Sequence, residues 1–256
     1  MLPSSPTLTL QKRPMNFSPS NRNVADQIVS AFENSTTEIK YDYCENLDDG
    51  RGYTAGRAGF CTGTGDLYEV VKLYTRDNPD NALSEYLPTL KQLAEDEDDD
   101  VSDLDGFDTD WKEACQDEDF LRCQDAIVDK EYFQPALNYC TENGLQYPLS
   151  AACLYDACIQ HGDGEDEDSL SALIKRTNAQ AGGNPKSGIN ETEWLNIFLD
   201  VRKANLLNPS NAETKDEWSE SAGRVDALKQ LLENGNVNLD GNVSFNAFGD
   251  EYSITA

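Results

Sequence analysis

Basic residues are scarce in this 256-residue chain, which has 20 Lys and Arg against 48 Asp and Glu, and only one His. The formal net charge of −28 disfavours binding to nucleic acid or to anionic membrane, because both would repel the protein. No stretch stays apolar over the roughly 18 residues that a membrane-spanning helix needs. We therefore expect no nucleic-acid or membrane partner and an attraction to polycations. The alternative is that the acidity serves only solubility or salt tolerance.

Metal-binding patterns are also missing. There is no Cys-x-x-Cys and no pair of His, so the sequence predicts no zinc site, and we expect no cofactor. Asn236-x-Asn238-x-Asp240-Gly241 resembles the first half of a calcium loop. Ala247 stands where that loop needs a bidentate Glu, so calcium binding is kept only as an alternative.

Seven cysteines are many for a cytosolic enzyme without a metal pattern, which favours a secreted protein. We expect six of them in disulfides, in any of fifteen pairings, and one buried free thiol, for which Cys61 is the candidate. Residues 1–21 lack the apolar centre of a signal peptide and are interpreted as a mature or trimmed start.

A glycine-rich stretch runs from Asp48 to Asp66 and is the most informative part of the chain. Six of the 17 residues 50–66 are glycine, and each Gly costs about 0.5–1 kcal/mol against Ala within a regular helix. The pattern predicts a short hairpin that presents polar side chains to a closely approaching molecule. The alternative is an ordinary glycine-rich surface loop.

A helix is predicted just upstream, because Val24, Ile28, Val29 and Phe32 share one helical face. Glu33 then lies near the helix end, and Asp49 lies on the hairpin. Two carboxyl groups placed in this way can face each other across a cleft, as glycoside hydrolysis requires. With 48 acidic residues in the chain such pairs are common, so the pattern alone is a weak signal.

The remaining pattern predicts a mainly α fold with a small antiparallel β-sheet. Pro148–Gln160 is almost wholly apolar and predicts a buried helix, in which Asp156 must have a partner. His161 follows it and is interpreted as structural rather than catalytic. Residues 1–22 are expected to form a mobile arm and 23–256 a single catalytic domain. Further helices are expected at 67–77, 81–93, 109–128, 132–142 and 222–232, and another is expected to begin at residue 190. Acidic loops are expected at 95–105 and 163–168, and an irregular tail at 235–256.

The sequence resembles the family 46 glycoside hydrolases, which are chitosanases with a lysozyme-like fold. The resemblance covers roughly residues 24–254. It is carried by Ala31-Phe32-Glu33-Asn34-Ser35, Asp49-Gly50-Arg51-Gly52-Tyr53-Thr54, Gly59-Phe60-Cys61-Thr62-Gly63-Thr64-Gly65-Asp66, Tyr132-Phe133, Tyr155-Asp156-Ala157, His161-Gly162, Phe198-Leu199-Asp200-Val201-Arg202-Lys203-Ala204 and Arg224-Val225-Asp226. The resemblance implies two lobes joined by a buried helix, with a cleft between them.

The same resemblance implies endo-hydrolysis of β-1,4 bonds between the glucosamine units of chitosan, with inversion. Glu33 would be the general acid and Asp49 the general base, and Thr54 would hold the attacking water. An arginine–carboxylate network of Arg224, Asp156 and Arg202 would support the acid. The expected substrate-binding residues are Asn34, Ser35, Tyr43, Arg51, Asp66 and Tyr132.

Asp66 is expected to contact a glucosamine ammonium group, although a helix cap is the simpler interpretation of that residue. The expected partners are chitosan and glucosamine oligosaccharides, and a monomer is expected. The alternatives are a lysozyme-like muramidase and a non-catalytic acidic protein that binds calcium or a cationic polymer.

Overall fold

The computed structural model describes residues 17–256, and helices dominate this part of the chain. The helices are α1 Pro19–Asn34, α2 Asp66–Asp77, α3 Leu87–Asp96, α4 Phe107–Ala114, α5 Glu118–Val128, α6 Gln134–Asn143, α7 Pro148–His161, α8 Leu170–Ala181, α9 Glu191–Leu207, α10 Lys215–Glu220 and α11 Gly223–Glu233. The strands are β1 Cys44–Asn46, β2 Tyr53–Ala55, β3 Phe60–Cys61, β4 Asn242–Ala247 and β5 Asp250–Thr255. The prediction of a mainly α fold with a small antiparallel sheet is confirmed. Within the described residues, no helix is both long and apolar enough to cross a bilayer.

Helix α1 begins earlier than the sequence analysis predicted. Ser18 caps it, accepting a hydrogen bond from the backbone N–H of Asn21, and Pro19 occupies the first turn, where its missing N–H costs nothing. Residues 19–22 therefore belong to α1 and not to the predicted arm. Residues 1–16 of that arm lie outside the described part. At its other end the helix stops at Ser35 in a left-handed conformation (φ 53°), which leaves Glu33 in the last turn.

Strands β1, β2 and β3 form an antiparallel sheet in that order, with Thr54 opposite Glu45 on one side and Cys61 on the other. Gly56 follows β2 with φ +70°, and a Cβ there would lie 2.5 Å from Gln124 Oε1 and 2.9 Å from the Trp111 ring. Only glycine fits so close to α4 and α5, which explains this part of the glycine-rich pattern.

The buried Arg57 holds this hairpin to the helices. Its guanidinium lies 2.7 Å from Asp26 of α1 and also pairs with Asp125 of α5. Tyr155 of α7 donates to the same Asp26 carboxylate at 3.0 Å. The hairpin is therefore bonded directly to α1 and α5, and through Asp26 it is linked to α7.

Helix α7 is buried along almost its whole length, as predicted. It contacts α1, α6, α8 and α11, so its side chains form the centre of the core. Whether it joins two lobes of a single domain over 23–256 stays a prediction.

Several local predictions are wrong. Residues 242–255 form a β-hairpin instead of an irregular tail, because Val243, Phe245 and Ala247 alternate with polar residues and bury one face. The helix expected at 109–128 is divided into α4 and α5, since Asp117 caps a new start by accepting from the N–H of Asp119. Helix α8 was not anticipated.

All seven cysteines are free thiols in the structure, so the prediction that six form disulfides is wrong. Four of them, Cys44, Cys140, Cys153 and Cys158, are buried in the core beside apolar neighbours, where a thiol packs as a small apolar side chain. Burial raises the pKa of the Cys44 thiol to about 12, which keeps it protonated and unreactive. Cys61 is also buried, as expected.

Candidate active site

A cleft of about 1330 Å³ is lined by the end of α1, the three-stranded sheet, α2, α7, α10 and the start of α11. Nine of the twelve site residues named from the sequence line it, namely Glu33, Asn34, Ser35, Tyr43, Arg51, Thr54, Asp66, Tyr132 and Arg224. Asp156 and Arg202 are fully buried behind the wall, and Asp49 lies on the exposed turn beside the cleft.

Glu33 reaches the cleft because α1 ends directly after it. Its side chain is 33 % exposed, and Glu33 Oε1 lies 2.9 Å from Arg224 Nη2. Arg224 lies in the first turn of α11 and is itself buried, so the carboxylate is held from behind while its exposed part faces the cleft. A carboxyl in this position can contact a bound sugar and a glycosidic oxygen.

The arginine behind Glu33 belongs to a buried chain of ionic groups. Arg224 Nη1 donates to Asp156 Oδ1 at 3.3 Å, and Arg202 donates to the other oxygen of the same carboxylate. Asp156 therefore has the two partners that its position in an apolar helix demands. The structure places the three predicted network residues together behind Glu33.

His161 extends this chain as a neutral imidazole. Arg202 Nε donates to His161 Nε2 at 3.3 Å, and His161 Nδ1 donates to the Asp168 carbonyl at 3.0 Å. Burial and the Arg202 guanidinium hold the pKa of His161 well below its ordinary value. Because Nε2 must accept, the proton lies on Nδ1. The imidazole is buried and orients Arg202, in keeping with a structural role.

Asp49 is held by its neighbour Arg51 on the turn between β1 and β2. Arg51 donates to Asp49 Oδ2 from Nε at 3.0 Å and from Nη2 at 2.6 Å, and its backbone N–H donates to Oδ1 at 3.1 Å. Burial raises the pKa of the Asp49 carboxyl, but the Arg51 hydrogen bonds outweigh burial, so the pKa lies below its usual value. Asp49 is thus ionised at neutral pH, as a base must be.

Thr54 lies on β2 at the floor of the cleft. Thr54 as a whole is buried, but it still contributes to the lining of the cleft. Its hydroxyl lies 3.4 Å from the Cys61 thiol on β3. Cys61 in turn donates to the Gly59 carbonyl at 3.2 Å. The Thr54 hydroxyl is therefore held against β3 at the lining of the cleft.

Asp66 and Tyr132 form a second polar group on the α2 side of the cleft. Asp66 Oδ1 accepts from the N–H of Cys61 at 2.8 Å and from that of Leu67 at 3.0 Å, while Oδ2 accepts from Tyr132 Oη at 3.1 Å. Gly65 occupies the cap position of α2, so Asp66 is the first residue of the helix rather than its cap. Burial raises the pKa of Asp66, and the hydrogen bonds that it accepts only partly offset this. A cation at Oδ2 would stabilise its ionised form.

The cleft is also lined by residues that sequence reasoning missed, among them Glu217, Trp218 and Ser221 of α10 and its C-terminal end. The ring of Trp218 packs edge-on against His161 with centroids 4.9 Å apart. Ser221 accepts from Gln160 at 2.6 Å, and Gln160 accepts from Arg202 at 2.7 Å. No local pattern marks these residues, because contacts with α7 and α9 place them at the cleft.

Among the described residues, no cluster of three or more His, Cys, Asp or Glu side chains could hold a metal ion. The calcium-like segment at 236–241 has another use in the fold. Asn21 of α1 donates to the Asn238 carbonyl at 2.7 Å, so this loop anchors the start of α1.

Comparison with known proteins relates the chain to one family. Residues 27–243 match Glycosyl hydrolase family 46. A chitosanase of Bacillus subtilis (strain 168) is 53 % identical over 228 residues, covering 88 % of this chain and 82 % of the relative. A crystal structure of a mutant chitosanase from Bacillus subtilis MY002 complexed with six GlcN has a TM-score of 0.88 at 49 % identity, covering 94 % of this chain and all of the other. A family 46 chitosanase of Gynuella sunshinyii complexed with chitotetraose has a TM-score of 0.87 at 48 % identity, covering 93 % and 99 % of the two chains.

Proposed function

This chain belongs to glycosyl hydrolase family 46, and we propose that it is a chitosanase that cleaves β-1,4 bonds within chains of glucosamine units by an inverting mechanism. The observation that carries the proposal is the position of Glu33, a carboxyl that faces the cleft while Arg224 holds it from behind. Relatives with the same fold bind glucosamine oligosaccharides, which supports chitosan as the substrate class.

Glu33 acts as the general acid in this proposal and protonates the glycosidic oxygen of the leaving sugar. The ion pair with Arg224 orients the carboxyl of Glu33. The same guanidinium also binds the buried Asp156. Because Asp156 also holds Arg224, the guanidinium keeps one position beside Glu33 and orients its carboxyl.

Asp49 acts as the general base and accepts a proton from the attacking water, which Thr54 helps to orient. In this structure Asp49 lies beside the cleft with its carboxylate bonded to Arg51. Inverting enzymes need about 6.5–9.5 Å between their two carboxyl groups to hold that water. In this proposal the turn at residues 47–52 holds Asp49 at such a distance from Glu33 when substrate is bound.

Substrate charge accounts for the other polar groups. The ammonium of a glucosamine unit near Asp66 Oδ2 would form a charge-assisted hydrogen bond, which a neutral acetylated unit lacks. Asn34, Ser35, Tyr43, Arg51 and Tyr132 line the same cleft and bind hydroxyl groups in this proposal. The net charge of −28 draws the polycation toward the protein.

The site of action is proposed to be extracellular, because chitosan is a polymer too large to be taken up intact. Comparing chitosan-cleaving activity in culture medium and in washed cells tests this, and activity confined to the cells would contradict it.

The function is tested by incubating the protein with chitosan, chitin and peptidoglycan side by side and sizing the early products. We expect oligomers of mixed length from chitosan. Release of single sugars alone would exclude endo cleavage, cleavage of peptidoglycan would favour the muramidase, and binding without cleavage would favour the non-catalytic alternative. NMR of the first product should show the α anomer, and a β anomer would mean retention with Asp49 as nucleophile.

A further inference from the structure

The tip of the β4–β5 hairpin contains an aromatic residue where turn geometry disfavours one. Phe248 and Gly249 connect the strands with φ values of 54° and 97°. Two-residue turns of this kind favour Asn-Gly or Asp-Gly, and a bulky side chain at positive φ is an outlier that costs free energy. Phe248 is also 46 % exposed, so burial of its own surface does not explain its presence.

The ring of Phe248 lies on the two chain segments that carry the Glu33–Arg224 ion pair. A Cβ on Gly223 would lie 2.9 Å from Cδ1 and 3.0 Å from Cε1 of Phe248, so the ring packs directly on the glycine backbone. The same ring meets the Phe32 ring edge-on, with centroids 6.5 Å apart and planes at 89°. Gly223 immediately precedes Arg224, and Phe32 immediately precedes Glu33.

The hairpin that presents this ring is docked by other contacts. The backbone N–H of Asn246 donates to Gln230 Oε1 of α11 at 3.0 Å, and Phe245 packs on Phe32 at 5.8 Å. The hairpin therefore stays on α11 without the Phe248 ring. What the ring adds is a fixed spacing between the start of α11 and the end of α1.

Arg224 depends on such support. Its two Nη atoms bind Glu33 and Asp156, while its Nε is buried and has no hydrogen-bond partner among the described residues. The guanidinium lies 5.6 Å over the Phe32 ring. Besides these two carboxylates, the backbone at Gly223 and the Phe32 ring position the Arg224 side chain, and Phe248 contacts both.

We propose that Phe248 is a positioning residue for the acid, whose ring on Gly223 and Phe32 sets the alignment of Arg224 with Glu33. The proposal rests on the proposed function, in which Glu33 is the general acid. Misplacement by 1 Å of a group far from the reacting atoms can cost about 100-fold in rate, so a small shift here would be measurable.

The decisive variant is Phe248→Asn, which suits the turn better than phenylalanine but removes the ring. We expect an unchanged or higher thermal midpoint, a kcat on glucosamine hexamer about tenfold lower and a KM within about twofold. Phe248→Tyr keeps the ring and should behave as wild type. Leu207→Asn, at an exposed leucine on α9, is the matched control.

Gly223→Ala gives the reciprocal test, because the added Cβ would meet the ring. It should lower kcat in the wild-type background and have no further effect in Phe248→Asn, where the ring is gone. Additive effects of the two changes, or a wild-type kcat in Phe248→Asn, would overturn the proposal. So would a loss of kcat that only parallels a loss of thermal midpoint. If Glu33→Gln retained full activity, the proposed function itself would fail instead.

Discussion

Replacing Asp156 by asparagine tests the buried ionic network most severely. The Asp156 side chain is fully buried, as is that of Arg202, and its two carboxylate oxygens accept from Arg202 and Arg224. Asn keeps the shape but removes the only negative charge between the two guanidinium groups. Arg224 would keep Glu33 as a counter-ion, whereas Arg202 would keep only the neutral Gln160 and His161.

Removing one partner of a buried ion pair costs about 3–5 kcal/mol. For a chain of this size each kcal/mol lowers the thermal midpoint by about 2–4 °C, so we expect a fall of roughly 6–20 °C. Activity should also fall at temperatures where the variant is fully folded, because Arg224 loses one of its two anchors. Thermal unfolding followed by circular dichroism measures the first effect, and initial rates on glucosamine hexamer measure the second.

The matched control is Asp226→Asn. Asp226 lies on the same helix as Arg224 but is about half exposed and pairs with Lys203, and such surface pairs contribute little. A thermal midpoint of Asp156→Asn that matches this control would refute the reasoning, because the network would then contribute no more than a surface ion pair.

Three further predictions follow from the charged groups. Asp66→Asn should lower kcat/KM on fully deacetylated oligomers about 10–100-fold with little change in thermal midpoint, while Tyr132→Phe should have a smaller effect. A loss of stability without a loss of kcat/KM would mean that Asp66 only stabilises the start of its helix. Raising the salt concentration toward about 1 M, where the Debye length is about 3 Å, should lower kcat/KM on chitosan and spare kcat, whereas an unchanged kcat/KM would assign the charge to solubility. Because the folded pKa of His161 is depressed, its contribution to stability is present above about pH 6.5 and lost as the pH falls, since the unfolded chain binds the proton first. Thermal midpoints between pH 4 and 8 should therefore fall less steeply toward acid in His161→Gln, and an identical slope would contradict a buried neutral imidazole.

Local signals predicted the elements that carry the proposed acid and its support. The apolar periodicity of α1 correctly placed Glu33 in the last helical turn, and the apolar run of α7 correctly implied a buried Asp156 with partners. Both signals are local because burial of one face, or of a whole helix, appears directly in the spacing of apolar residues.

Features that depend on distant contacts were missed. Trp218 reaches the cleft because it packs on His161, and nothing within residues 208–222 indicates this. The number of cysteines favoured disulfides, but all seven are free thiols in the structure, because a cysteine count does not show which side chains the fold brings together. The β4–β5 hairpin is different, because the alternation of Val243, Phe245 and Ala247 was visible in the sequence and was overlooked.

The most direct test of the proposed mechanism is the activity of Glu33→Gln on glucosamine hexamer. Glu33 is expected to donate the proton to the leaving oxygen, so turnover should fall by roughly 10²–10⁴-fold while hexamer binding and thermal midpoint change little. Glu69→Gln is the matched control, because Glu69 lines the same cleft and forms an ion pair with the exposed Lys72 rather than with the buried network. Turnover of Glu33→Gln within a few-fold of that control would contradict the assignment of Glu33 as the acid.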